Sequence, residues 1–284
     1  MAQQQLGRIQ WGDLTFGPGS QYAVTALEGL DDLPDIRAED VARPGQHGDY
    51  SGPDYTGPRV IQLGLGLRGE TPDDLRALTI ALRNHTQPQR QPSALQFLDQ
   101  DILVWAKVRK RSLPYDAEHL WSIGDAALEL YCADPYLYGL TEQSTSTTAY
   151  SPSAGRTYPL THDRTYGPAG ESGRVLAVNN GASDAYPVLR VDGPVADPSI
   201  EQVTTGQTLI IDATLNDGEY LLIDTRTRAV LFQGSSPRRS WVRAGSTWPL
   251  LVPGANEIAY RGSALPSGSG VPSLLTVTWR DTSL

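Results

Sequence analysis

Residues Asp125 to Gly139 read D-A-A-L-E-L-Y-C-A-D-P-Y-L-Y-G, and what they allow divides the chain. Leu128, Leu130 and Cys132 fall on one side of a two-residue alternation while Glu129 and Tyr131 fall on the other, the pattern of a half-buried strand. Asp134-Pro135 then stops the ladder, because proline has no N–H to donate and pushes its predecessor into extended or turn geometry. From there the composition changes: residues 141–173 are dominated by Thr, Ser, Gly, Pro and Tyr with no sustained apolar period. The reading is a first domain at 1–140, a connector at 141–173 and a second domain at 174–284. A length of 284 residues fits two bodies, since domains commonly run to about 100–200 residues.

The 28 glycines and 21 prolines, with only 19% charged residues, favour short strands joined by tight turns. The fold class expected is mainly β with one helix, which makes the first domain α+β. That helix opens at Thr71-Pro72-Asp73-Asp74, with Thr71 as N-cap, Pro72 in the first turn and two carboxylates at the positive end of the macrodipole. Leu75, Leu78, Ala81 and Leu82 give it an apolar stripe. Before it, Gly57 to Gly69 alternates Ile61, Leu63, Leu65 and Leu67 against Gln62, Gly64, Gly66 and Arg68. The G-x-G-x-x-G within it is not a dinucleotide loop, because Gly64 and Gly66 lie inside the strand and no acidic residue follows at positions 85–95. They predict instead a close approach of another element. A hairpin is expected from Ala94–Leu98 and Ile102–Arg111, with Lys107, Arg109 and Arg111 forming an outward basic stripe. In the second domain, Asn180-Gly181 and Asn216-Asp217-Gly218 read as hairpin turns of an antiparallel sandwich or jelly roll.

Functional chemistry is sparse. A net charge of −9 argues against gripping nucleic acid through its phosphates. Cys132 is the one cysteine, so a disulfide framework or thiolate cluster within the chain is excluded, and it reads as a small buried hydrophobe rather than a reactive thiol. His47, His85, His119 and His162 stand apart, outside any catalytic or metal motif. No enzyme activity, cofactor or metal is expected, nor a membrane insertion, since no apolar run approaches the roughly 18 residues that a span needs. Two segments invite partners. The excursion at 31–49 sets Arg37 and Arg43 among Asp31, Asp32, Asp35, Glu39, Asp40 and Asp49, and reads either as a solvated loop with surface ion pairs or as an interface. Arg238-Arg239-Ser240-Trp241-Val242-Arg243 reads either as a hairpin exterior with a folded-under indole, or as a grip on a sugar or anionic polymer through Arg239, Trp241 and Arg243.

In order and spacing the chain resembles the siphovirus distal tail proteins, the phage tail components also called minor tail proteins. Tyr22 to Leu30 running into Asp35-Ile36-Arg37 carries the resemblance, with Arg43-Pro44-Gly45-Gln46-His47-Gly48, Arg59 to Gly69 before the helix, and Asp134-Pro135-Tyr136. Asn179-Asn180-Gly181, Tyr186-Pro187, Thr205-Gly206, Leu221 to Thr225 and Trp248 to Asn256 extend it through the second half. The resemblance implies an N-terminal β-sandwich-plus-helix that closes a homohexameric ring, and an outward C-terminal galectin-like sandwich. Such a ring joins the tail tube protein to tail-associated, baseplate or fibre proteins at the virion's tail tip, is assembled in the host cytoplasm, and lets DNA pass without specific binding. Arg37, Arg43 and Asp49 on one side, with Lys107, Arg109 and Arg111 on the other, are the expected ring interface. The alternative is a carbohydrate-binding adhesion module that contacts a host-surface glycan.

Overall fold

The computed structural model describes residues 7–115, 122–151, 171–265 and 271–284; His119, His162 and residues 152–170 of the expected connector lie outside them. The chain divides into two compact units, the first covering 1–140 and the second beginning at Thr141.

The first unit contains β1 (Ile9–Trp11), β2 (Leu14–Phe16), β3 (Tyr22–Glu28), β4 (Ile36–Ala38), β5 (Val41–Ala42), β6 (Asp49–Tyr50), β7 (Asp54–Thr56) and β8 (Arg59–Arg68). It continues through α1 (Pro72–His85), β9 (Ser93–Phe97), β10 (Ile102–Ser112), β11 (Ile123–Cys132) and β12 (Leu137–Gly139). Its antiparallel main sheet runs β2-β1-β9-β10-β11-β8-β3. The long strand β10 serves both halves, pairing with β9 through Ile102–Ala106 and with β11 through Lys107–Ser112. Ile61, Leu63, Leu65 and Leu67 of β8, Leu128 and Leu130 of β11, and Leu75 and Leu82 of α1 join Trp11, Phe16 and Phe97 in one core.

Helix α1 starts as its sequence predicts. The Thr71 hydroxyl accepts from the Asp74 N–H at 3.2 Å, and the Asp74 carboxylate accepts from the Thr71 N–H at 3.0 Å, a reciprocal capping box. The bare face of β8 also finds its neighbour. Strand β3 bulges between Val24 and Ala26, and the Thr25 side chain lies over Gly64, where a Cβ would meet its hydroxyl. The approach comes from the adjacent strand of the same sheet rather than from another layer.

Cys132 is fully buried at the end of β11, and burial pushes its thiol from the ordinary 9.0 up to about 12. The folded unit thus keeps a neutral thiol where the unfolded chain releases the proton. Stability from this group is full below pH 9 and is lost as pH rises toward 12. A disulfide reagent at pH 8 is expected to leave native protein unlabelled and to react fully in denaturant. Equal rates in both conditions would contradict the placement.

The second unit contains β13 (Gln143–Thr148), β14 (Arg174–Asn179), β15 (Val188–Asp192), β16 (Val195–Gln202), β17 (Gln207–Ile210) and β18 (Thr214–Leu215). It closes with β19 (Tyr220–Asp224), β20 (Ala229–Phe232), β21 (Ser236–Pro237), β22 (Gly254–Ala264), β23 (Leu274–Trp279) and β24 (Thr282–Ser283). The sheet β13-β23-β15-β19-β20-β21 faces the sheet β14-β22-β16-β17, with β18 beside β16, across one core that includes Leu189, Ile200, Ile223, Ile258 and Val277. The chain is therefore mainly β with one α-helix among its described residues, and its second unit is a β-sandwich.

Three expectations are corrected here. Gln143–Thr148, expected in the connector, is the edge strand β13, paired with β23 along its whole length. Its run of threonines and serines lacks an apolar period because an edge position has little core to face, while β-branched residues still suit the pleat. Asn216-Asp217-Gly218 does turn, with the Glu219 N–H donating to the Asn216 carbonyl at 3.1 Å. However, β18 belongs to one sheet and β19 to the other, so the turn crosses the sandwich rather than closing a hairpin. Asn180-Gly181 likewise lies between β14 and β15 of different sheets. Turn chemistry specifies a local reversal, whereas the core decides which sheet receives the next strand.

Candidate functional site

Between β3 and β8 the chain leaves the first core and forms a narrow two-stranded arm. β4 pairs with β7 (Ile36↔Thr56, Arg37↔Tyr55) and β5 with β6 (Val41↔Tyr50, Ala42↔Asp49). At the tip the Arg43 N–H donates to the Gly48 carbonyl at 3.2 Å, and Gly45 and Gly48 take positive φ. Its large apolar side chains remain in solvent: Leu33 is 64% exposed, Ile36 51%, Val41 64%, Tyr50 58% and Tyr55 47%. An isolated strand pair is at best marginally stable in water, and clustered apolar exposure of this kind marks contact surfaces.

The sequence left open whether this segment is held by surface ion pairs. Among the described residues it makes none; Arg37 lies over Tyr55 at 5.4 Å and Arg43 over Tyr50 at 5.0 Å. Asp49 sits on β6 opposite Ala42, and Asp40 accepts from the Gly52 N–H at 2.8 Å. Arg37, Arg43 and Asp49 therefore share one arm.

A residue that the sequence reading passed over fixes the root of that arm. Arg59, the first residue of β8, is 2% exposed. Its Nη1 donates to the carbonyls of Gly29 at 3.2 Å, Leu30 at 2.5 Å and Asp32 at 2.6 Å, and its Nε to that of Pro135 at 3.0 Å. Burial lowers the pKa of its guanidinium, against the pull of Cys132, Asp31 and Asp32. Gly29 holds φ +83° beneath the Val60 carbonyl, where a Cβ has no room. The only sequence signal was an arginine in phase with Ile61, Leu63, Leu65 and Leu67.

The basic stripe on β10 is broken up. A bulge between Val108 and Lys110 puts Arg109 out of register, and Arg109 lies over Tyr131 at 4.2 Å. Lys107 donates to the Arg90 carbonyl at 2.5 Å. Arg111 donates to the Arg83 carbonyl at 2.8 Å and to the Thr86 hydroxyl at 2.8 Å, so it caps the C-terminal end of α1 and meets the negative end of its dipole. Of the three, Arg109 is the one committed to no backbone carbonyl.

On the second unit, Trp241 sits in a single 3₁₀ turn, Arg239–Trp241. Arg238 lies over its ring at 5.4 Å and Phe232 meets it edge-on at 5.7 Å. Arg239 lies over Trp248 at 4.3 Å, and Arg243 is paired with Asp212. Protein groups thus already occupy the indole and the guanidinium of Arg243. Among the described residues, no group of three His, Cys, Asp or Glu side chains is arranged to hold a metal ion, and no helix is long and apolar enough to cross a membrane.

Comparisons with known proteins bear on the fold. Residues 180–280 match the family model described as siphovirus-type tail component, C-terminal domain. The chain superposes on the crystal structure of the SPP1 Dit protein, described as a paradigm of the hub adsorption apparatus in phages that infect Gram-positive hosts. The TM-score is 0.67 at 15% identity, with 98% of this chain and 99% of that one covered. It also superposes on a chain of the phage P2 baseplate in its activated conformation with Ca, at TM-score 0.52 and 11% identity over 95% and 96% of the two chains. The same baseplate with Sr gives 0.51 at the same identity and coverage. No curated protein matches the sequence. In line with the resemblance to siphovirus distal tail proteins, residues 180–280 match the siphovirus-type tail component C-terminal domain, on a chain whose fold is similar to that of the SPP1 Dit protein.

Proposed function

We propose that this protein is a structural hub of a long-tailed phage, six copies of which close a ring between the tail tube and the tail-tip proteins. The observation that carries the reading is the arm: a ribbon of paired strands with five large apolar side chains in solvent, held at a fixed root. A ring needs two different complementary patches on each subunit, and the arm supplies one that reaches beyond its own core. Arg109, lying over Tyr131 on the outer face of the sheet, belongs to the second patch. The tube protein on one side and baseplate or fibre proteins on the other are the partners this role requires. The acidic balance of the chain suits a channel that DNA traverses without sticking.

Mass measurement under native conditions is expected to give a six-subunit species. The double substitution Val41→Ser with Tyr50→Ser removes exposed apolar surface that meets only the arm's own residues and neither core, and is expected to leave folded monomers that still melt cooperatively. A wild-type protein that stays monomeric at every concentration would refute the ring, and a double variant that assembles as well as wild type would remove the arm from it.

A further inference from the structure

Residues 225–256 contain five arginines and no Asp or Glu, in a chain whose net charge is −9. Four of those arginines flank the edge strands of the six-stranded sheet, Arg226 and Arg228 in the turn before β20, Arg238 and Arg239 directly after β21. Arg243 is neutralised by Asp212. Asp224, the nearest acid in sequence, accepts from the Thr227 hydroxyl at 2.7 Å and from the N–H groups of Arg226 and Thr227. Arg228, Arg238 and Arg239 make no ion pair among the described residues.

Two of these side chains, those of Arg238 and Arg239, are held rather than loose. The Arg238 N–H donates to the Val230 carbonyl at 2.7 Å, which locks its backbone to β20. Its side chain lies over Trp241 and donates once, to the Pro237 carbonyl at 3.0 Å. Arg239 lies over Trp248 and donates once, to the Arg228 carbonyl at 2.5 Å, which ties its guanidinium to the main chain of the turn before β20. Both indoles pack against the second core, so the plates under the guanidinium groups are fixed. A guanidinium has five N–H donors in a planar fork, and its preorganisation reduces the ordering cost of binding an anion.

We propose that this edge binds the phosphate groups of a polyanionic chain. Arg238 and Arg239, adjacent in the chain and without a carboxylate partner, repel one another, and an anion relieves that repulsion. Neighbouring Arg238 and Arg239 favour a ligand group with more than two acceptor oxygens, which a phosphate has and a single carboxylate lacks. The indoles serve as supports for arginine rather than as stacking surfaces for sugar. This site does not depend on ring formation.

The test is titration of the full chain with inorganic polyphosphate, followed by tryptophan fluorescence and calorimetry. Binding that weakens steeply as salt rises is expected. Arg238→Gln with Arg239→Gln is expected to lower affinity by at least about tenfold, while Arg243→Gln, at a pair already neutralised, changes it far less. Melting temperatures confirm that each variant is folded. A DNA oligonucleotide with the same number of phosphates identifies the source: equal binding assigns the site to any phosphate backbone, weaker binding to a non-nucleic phosphate polymer, and both uphold it. Absence of polyphosphate binding, affinity unchanged in the double variant, or equally tight binding of poly-glutamate would each overturn the proposal.

Discussion

Replacing Arg59 by methionine is expected to destabilise the first unit by about 3–5 kcal/mol, a large share of what a domain of this size possesses. Methionine roughly preserves the apolar stem but leaves the carbonyls of Gly29, Leu30, Asp32 and Pro135 without their donor. A buried acceptor stripped of its partner costs about 1–3 kcal/mol, and partial relaxation or water entry keeps the sum below four times that. Lysine at this position restores the charge but not the planar fork, so Arg59→Lys should recover only part of the loss. Urea denaturation, with Cys132 labelling reporting opening of the first unit, measures both. A loss under about 1 kcal/mol for Arg59→Met would mean that the four bonds contribute no more than ordinary surface contacts.

Asn256→Leu is the corresponding lesion in the second unit. The asparagine is fully buried; its Oδ1 accepts from the Gln202 amide at 2.6 Å and the Val252 N–H at 2.9 Å. Its Nδ2 donates to the carbonyls of Val252 at 2.7 Å and Gly254 at 2.9 Å. Leucine is close in volume but satisfies none of these groups, and a half-satisfied buried network is worse than an apolar one. We expect a loss of about 3–4 kcal/mol and an earlier tryptophan transition, with Cys132 still protected where that transition begins. Simultaneous exposure of Cys132 would contradict a lesion confined to the second unit.

The elements were legible in the sequence where one physical signal dominated. The alternation of Ile61, Leu63, Leu65 and Leu67 gave β8, and the Thr71-Pro72-Asp73-Asp74 start gave α1, because period and capping are local properties. The β9–β10 pairing was legible for the same reason. The turns at Asn180-Gly181 and Asn216-Gly218 misled, since a reversal looks alike whether the chain returns to its own sheet or crosses to the opposite one. Position β13 was missed because an edge strand of threonine and serine carries no apolar rhythm. At the site, the acidic and basic side chains of the 31–49 excursion were visible as a composition. Their arrangement into a paired ribbon was not, because its ladders are only two or three residues long. The stripe of Lys107, Arg109 and Arg111 assumed unbroken alternation, and a single bulge at Arg109 dissolved it. Arg59 was hidden because burial of a charge is set by distant carbonyls, three of them 27 to 30 residues upstream and the fourth, of Pro135, 76 residues downstream.

That choice of carbonyls has a further effect. Oxygen atoms of the main chain neither take up protons in mild acid nor attract the counterions that weaken carboxylate pairs in brine. The four bonds that fasten the root of the ribbon are therefore less sensitive to mild acid and to brine than carboxylate pairs in the same place would be.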